Sequence, residues 1–160
     1  MKLEIWKPAG TLGLLVGLGF LMTCSSGRDV ALEAAGTDAS CVQDRKTPRA
    51  PATVRTKPNP LPATPETIEA GKALYHKGAR PIACKVCHGE NGTGRGDPDF
   101  ASTPPARDFT CAAMMNPLPD GQLFWIIQNG SPNTSMPAFS NLSDEQVWQL
   151  VHYLRRFADS

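Results

Sequence analysis

The chain has 160 residues, which is enough for one domain with extensions. Its formal net charge is +1, and no basic cluster alternates with aromatic residues, so the composition argues against a nucleic-acid partner. Most of the 15 prolines lie in the first two-thirds of the sequence, which indicates linker and loop segments there.

Residues 1–23 have the features of an export signal. Lys2 and Lys7 precede an apolar run, and the following "LMTC" resembles the lipobox of bacterial lipoproteins, in which Cys24 would carry a diacylglyceryl group. An uncleaved anchor is the first alternative, because residues 8–27 carry no charge, and secretion as a soluble protein is the second. All three place the rest of the chain outside the cytoplasm, in an oxidising compartment where spare thiols tend to pair.

Residues 24–63 are predicted to be a flexible, basic, proline-rich linker. Residues 45–57 carry five basic side chains and no acidic one, and prolines lie within and after this stretch. About 40 flexible residues span roughly 35 Å, so a tethered domain could reach different partners on one membrane. The basic residues either contact anionic lipid head groups or keep a spacer soluble.

Residues 64–160 form the predicted domain, which shows helical patterns and no strand-like alternation. Thr64 is a candidate N-cap for a helix that ends by Gly78. A second helix is predicted in "DGQLFWIIQNG", with Asp120 as its cap and Gly130 at its end.

The last predicted helix has the clearest boundary signals. Ser143 and Gln146 have the spacing of a capping box. The buried stripe of this helix is predicted to consist of five residues, namely Val147, Leu150, Val151, Leu154 and Phe157. An all-α domain with so few helices buries little apolar surface, so it needs a covalent link or a cofactor at its centre.

The sequence "CKVCH" supplies the chemistry for such a cofactor. Cys84 and Cys87 are three residues apart, and His88 follows directly. This is the signature of c-type haem attachment, in which the two thiols form thioethers and the histidine becomes an iron ligand. Two alternatives are weaker: a thioredoxin-like redox motif needs a preceding strand, and a zinc site needs a second pair of ligands at zinc spacing.

The second iron ligand has several candidates in the sequence. They are Met136, Met114, Met115, His76 and His152. Met136 lies in the loop "SPNTSMPAF" outside any helical stripe, so core packing explains it less well than it explains Met114 and Met115. The patterns around His76 and His152 predict a solvent-facing position for each.

Residues 58–157 resemble a class I mono-haem cytochrome c, most closely the third-subunit cytochrome c domain of haem–copper oxidases. The segments that carry the resemblance are "AGKALY", "CKVCHGENGTGRGD", "ARDFT", "DGQLFWIIQNG" and "SMPAFSNLSDEQVWQLVHYLRRF". The resemblance implies three to five short helices around one covalent haem c, with Met136 as the distal ligand. It also implies that the first and last helices cross where Gly71 and Tyr75 meet Leu150 and Tyr153.

These features predict a membrane-tethered periplasmic electron carrier rather than an enzyme. Its expected partners are redox proteins, such as a dehydrogenase or a terminal oxidase or reductase, and it could also be the electron-transfer subunit of such a complex. The alternative function is a haem-based sensor or ligand-binding domain with an open or labile sixth iron position.

Further residues have predicted roles around the haem. Ile82, Pro137 and Phe139 are candidates for its exposed edge, although Phe139 fits equally well as packing. A haem propionate could be bound by one of four side chains, namely Arg80, Arg95, Arg107 or Trp125. Cys41 and Cys111 remain, either as a disulfide that pins the linker to the domain or as two separate thiols.

Overall fold

The computed structural model describes residues 39–100 and 102–159 and is all-helical over these ranges. Its helices are α1 (Ala52–Arg55), α2 (Pro65–Ala73), α3 (Cys84–His88), α4 (Ala112–Met115), α5 (Asp120–Asn129) and α6 (Asp144–Ala158). A π-helical turn, Leu74–Gly78, continues α2. The described ranges contain no strand, so the predicted all-α class is confirmed, with two single-turn helices, α1 and α4, among the six.

The predicted export segment, Cys24 and the linker up to residue 38 lie outside the described residues. Among the described residues, no helix is both long and apolar enough to span a membrane.

The predicted helix starts are confirmed at α2 and α6. The Thr64 hydroxyl accepts a hydrogen bond from the Thr67 backbone N–H at 3.2 Å. At α6, Ser143 Oγ accepts from the Gln146 N–H, and Gln146 Oε1 accepts from the Ser143 N–H, which completes the predicted capping box.

The predicted cap of α5 is wrong by one residue. Pro119 is the N-cap, and Asp120 is the first residue of the helix. The Asp120 carboxylate instead accepts hydrogen bonds from Arg155 Nε and Nη2 at 2.8 and 2.6 Å. The Asp120 carboxylate therefore binds Arg155 on α6 instead of capping α5. Gly130 ends α5 as predicted, with φ of 72°.

The core forms where α2 crosses α6. Gly71 is buried there, and a Cβ added to it would lie 2.1 Å from the Gln149 carbonyl oxygen and 3.0 Å from Tyr153 Cβ. Tyr75 is fully buried beside this crossing and meets the Tyr153 ring edge-on at 5.3 Å. Four of the five predicted stripe residues of α6 are buried, namely Val147, Leu150, Val151 and Leu154.

Residues 41–61, which we call the strap, differ from the predicted flexible linker because they lie against the domain. A disulfide joins Cys41 to Cys111 with a Cα–Cα distance of 5.6 Å. At the other end, Asn59 Nδ2 donates to the Trp148 carbonyl at 2.9 Å.

The middle of the strap is bound by α5. Gln122, a buried polar side chain on that helix, accepts from the Ala50 N–H at 2.9 Å and donates to the Pro48 carbonyl at 3.0 Å. Both polar ends of this amide are therefore satisfied by strap backbone, which fixes the strap in one position.

Candidate haem-binding site

The predicted site residues line one cavity of about 380 Å³. Cys84, Cys87, His88 and Met136, which are separated by up to 52 positions in the sequence, all line it. Much of the remaining wall is apolar and includes Ile82, Phe109, Leu123, Ile127, Leu150 and Leu154. A wall of this kind suits the apolar body of a porphyrin.

Helix α3 presents the two thiols on one face, because Cys84 and Cys87 are about one turn apart. Both are free thiols. Burial raises the pKa of the Cys84 thiol to about 12 and also raises that of Cys87. Gly89 then ends the helix with φ of 83°, and a Cβ there would lie 2.5 Å from the Arg95 carbonyl oxygen, so a side chain does not fit.

The imidazole of His88 is held in a defined orientation. Its Nδ1–H donates to the Arg107 carbonyl at 3.0 Å, and its ring stacks on Phe109 with centroids 4.3 Å apart. Burial lowers the pKa of His88 to about 4, and the positive charges of Arg45 and Arg107 act in the same direction. The neutral ring therefore keeps its Nε2 lone pair available for a metal, with Nδ1 fixed by a backbone acceptor.

Met136 lies on a loop that its backbone contacts stabilise. Its N–H donates to Thr134 Oγ1 at 3.1 Å, and its carbonyl accepts from the Ser131 N–H at 3.2 Å. Gly130 packs directly beneath, since a Cβ there would lie 2.9 Å from the Met136 carbonyl oxygen.

The other four candidates for the second ligand are described residues, and none of them is among the residues that line this cavity. Met114 Sδ accepts from the Gln43 N–H, and Met115 is fully buried in the core. The two histidines, which were predicted to face solvent, are partly buried and form hydrogen bonds within the domain. The ring of His76 lies between Glu90 and Tyr153, with both contacts at 3.0 Å, and His152 Nε2 donates to the Leu61 carbonyl at 2.8 Å.

Of the predicted propionate partners, Arg107 lines the cavity, whereas Arg80, Arg95 and Trp125 are not among its lining residues. The sequence prediction missed the contribution of the strap, which adds Arg45, Thr47, Pro48, Arg49 and Arg55 to the wall. The available signal was the stretch 45–57, which contains five basic residues and no acidic one. Its proline content led to its prediction as a linker.

Of the predicted edge residues, Ile82, Pro137 and Phe139 all line the cavity. Phe139 is only 4% exposed, so it packs inside the domain and offers no surface to a partner. Ile82 and Pro137 are partly exposed.

These observations fit a covalently bound haem. Two free thiols, a neutral imidazole and a thioether sulfur converge on one largely apolar cavity. The zinc alternative finds no support, because the described residues contain no group of three or more His, Cys, Asp or Glu side chains placed to hold a metal ion.

Comparisons with known proteins agree with this fit. The sequence model of the cytochrome c family matches residues 68–157, so the chain belongs to that family. A solved structure of a chain in the Kuenenia stuttgartiensis reducing HAO-like protein complex is similar, with a TM-score of 0.51 and 30% sequence identity. The match covers 61% of this chain and 46% of that chain, so this protein spans less than half the length of its structural relative. No curated protein matches the sequence.

Family membership defines the cofactor and its chemistry at a coarse level. A cytochrome c domain implies covalently bound haem c and haem-based electron transfer. The class I cytochrome c resemblance is thereby supported, but the structural relative is not a haem–copper oxidase subunit.

Proposed function

We propose that this protein is a mono-haem cytochrome c that passes single electrons between redox proteins, with iron bound by His88 and Met136 and the porphyrin bound by Cys84 and Cys87. The observation that carries this proposal is that these four residues line the same cavity, whereas the other candidate ligands do not. Haem c supplies a one-electron iron couple, whose potential is raised by a methionine ligand relative to a second histidine.

The residues of the chain have separate tasks in this proposal. The thiols of Cys84 and Cys87 attach the cofactor, so it cannot dissociate from a small domain. The Arg107 carbonyl orients His88 through Nδ1 and makes Nε2 the ligand atom. Met136, on a loop that its backbone hydrogen bonds stabilise, would supply the second iron ligand and so would leave no open site for oxygen or a substrate.

We place the protein on the periplasmic side of a bacterial membrane, tethered through Cys24 or through an uncleaved N-terminal anchor. Its partners in this proposal are redox proteins that dock transiently at the haem edge, through an interface under about 1,200 Å². The structural relative belongs to a redox protein complex, which supports membership of an electron-transfer assembly as one form of partnership. An oxidase subunit role is a second form, and it rests on the sequence resemblance alone.

Visible spectroscopy of the holoprotein tests the iron ligands. The ferric protein is expected to show the weak far-red charge-transfer band of methionine sulfur on haem iron. Met136→Leu should abolish this band, because leucine has a similar volume and no sulfur. Met114→Leu is the matched control and should keep the band, since Met114 sulfur accepts a hydrogen bond from Gln43 N–H and does not line the cavity.

Carbon monoxide gives the second readout. The reduced wild-type protein should be nearly inert to carbon monoxide, and Met136→Leu should bind it readily. If the wild type lacks the far-red band and takes up carbon monoxide, the sixth position is open. The protein would then be a haem-based sensor or ligand-binding domain.

A further inference from the structure

Among the described residues, four arginines line the haem cavity, and two of them, Arg45 and Arg107, come from distant parts of the chain. Arg45 comes from the strap, and Arg107 comes from the loop that also binds His88. The strap precedes residues 68–157, the part that the cytochrome c family model matches, so Arg45 is an addition to the family domain.

Neither guanidinium has an ionic partner within the described residues. Arg45 Nη1 donates to the Pro105 carbonyl at 2.6 Å and to Gln43 Oε1 at 3.3 Å, both of them uncharged acceptors. Arg107 Nη2 donates to Thr47 Oγ1 at 3.0 Å. The nearby Asp108 carboxylate accepts from the N–H and hydroxyl of Thr110 and forms no ion pair with either arginine.

Arg45 also has an unsatisfied donor. Its Nε is buried and has no hydrogen-bond partner. A buried donor without an acceptor costs about 1–3 kcal/mol, and more when the group is charged. Two like charges in one wall add to that cost, so this part of the cavity is built for an anion that is planar and accepts several hydrogen bonds.

We propose that Arg45 and Arg107 bind a carboxylate of the haem propionates, and that the Cys41–Cys111 disulfide holds Arg45 in place for this contact. The inference rests on the proposed function, since the carboxylate belongs to the haem. The disulfide lies four residues before Arg45, and the Gln122 contacts to Pro48 and Ala50 lie three to five residues after it. Arg45 is therefore fixed on both sides, whereas a free linker would leave it in solvent.

The test measures the reduction potential of holoprotein variants and the propionate bending band in the resonance Raman spectrum. Arg45→Gln removes a positive charge from the wall of the haem cavity, so it should favour the oxidised state. At a fixed applied potential, the ratio of oxidised to reduced haem should rise about tenfold. This is the order of magnitude expected when one unit charge is removed at about 10 Å from the charge that changes on oxidation, at an effective dielectric constant of about 20. The Raman band should shift because a hydrogen bond to the carboxylate is lost.

Three variants serve as comparisons. Arg95→Gln removes an exposed arginine that is not among the lining residues, and it should leave the ratio and the Raman band unchanged. Arg45→Lys keeps the positive charge but lacks the planar guanidinium. Its ratio of oxidised to reduced haem should therefore stay close to the wild-type value, whereas its Raman band should shift almost as far as in Arg45→Gln. Cys41→Ser/Cys111→Ser frees the strap, and it should shift both readouts in the direction of Arg45→Gln.

The inference is overturned if Arg45→Gln matches Arg95→Gln in both readouts. The role of the disulfide in holding Arg45 is overturned if Cys41→Ser/Cys111→Ser keeps the wild-type values of both readouts. The far-red methionine band is recorded on the same samples. If Arg45→Gln keeps this band and its Raman spectrum also stays unchanged, the propionate contact is contradicted and the proposed electron-carrier function remains intact.

Discussion

The Tyr75 hydroxyl donates a hydrogen bond to the Gly89 carbonyl at 2.7 Å, and both residues are buried. Tyr75 lies in the turn that follows α2, and Gly89 directly follows His88 at the end of α3. The contact therefore ties the helix crossing to the segment that presents the attachment motif. Desolvation raises the pKa of Tyr75 far above its ordinary value, so the hydroxyl stays protonated and keeps donating.

Tyr75→Phe should destabilise the holoprotein by about 1–3 kcal/mol, because it leaves the buried Gly89 carbonyl without a partner. Tyr153→Phe is the matched control. Its hydroxyl meets His76 Nε2 at 3.0 Å in a partly exposed position, where water can replace the lost partner. Guanidinium unfolding of both variants gives the comparison, and equal losses would contradict a special role for the Gly89 contact.

Gly71→Ala should weaken the crossing of α2 and α6. The added Cβ would lie 2.1 Å from the Gln149 carbonyl oxygen, which is backbone and cannot rotate away, so the helices must separate. We expect a loss of about 1–3 kcal/mol or more in the free energy of unfolding.

Gly78→Ala is the control for the change in backbone entropy. A Cβ at Gly78 first meets Leu74 Cδ2 at 3.1 Å, the flexible end of a side chain, so little should change. Thermal unfolding followed by circular dichroism measures both variants. A Gly71→Ala protein as stable as Gly78→Ala would show that the crossing tolerates a wider separation.

Local signals in the sequence predicted much of this fold. The caps at Thr64 and Ser143 depend on residues three positions apart, so their pattern is visible without any tertiary information. The same holds for the two thiols of α3 and for the imidazole beside them. Met136 could be singled out because its loop position left it without a packing role.

The strap could not be predicted in this way. Its contacts join Ala50 to Gln122 and Asn59 to Trp148, across 72 and 89 positions, and nothing in a proline-rich, basic composition reports such partners. Composition indicates how a segment behaves when no other part of the protein binds it. For this reason Arg45 and Arg55, which line the cavity, were predicted to lie in a flexible linker.

The membrane tether is a prediction about residues outside the described ranges. If Cys24 carries lipid and the signal is cut on its N-terminal side, Cys24→Ser should move the protein from the membrane fraction to the soluble periplasmic fraction or leave it unprocessed. Ser25→Ala is the neighbouring control and should stay in the membrane. The intact mass of the wild type decides between the alternatives, because an uncleaved anchor keeps residues 1–23, and a secreted protein loses them without gaining lipid.

The disulfide between Cys41 and Cys111 closes a loop of 70 residues, which restricts the unfolded chain. In the chain-entropy account, a loop of this length contributes about 4 kcal/mol to stability. Cys41→Ala/Cys111→Ala should therefore lower the free energy of unfolding by that order. Val42→Ala is the control, because Val42 is 54% exposed and should change little.

Non-reducing intact mass spectrometry checks the bridge directly. The holoprotein should lack two hydrogens relative to its two-thiol form, and neither Cys41 nor Cys111 should react with an alkylating reagent after denaturation without reductant. Alkylation of both residues would contradict the bridge.

Since Arg45 lies only four residues from Cys41, a reduced protein should also lose order in the strap, and hydrogen exchange at residues 43–50 should then rise. Unchanged exchange in the double variant would mean that Gln122 alone is enough to hold the strap against α5.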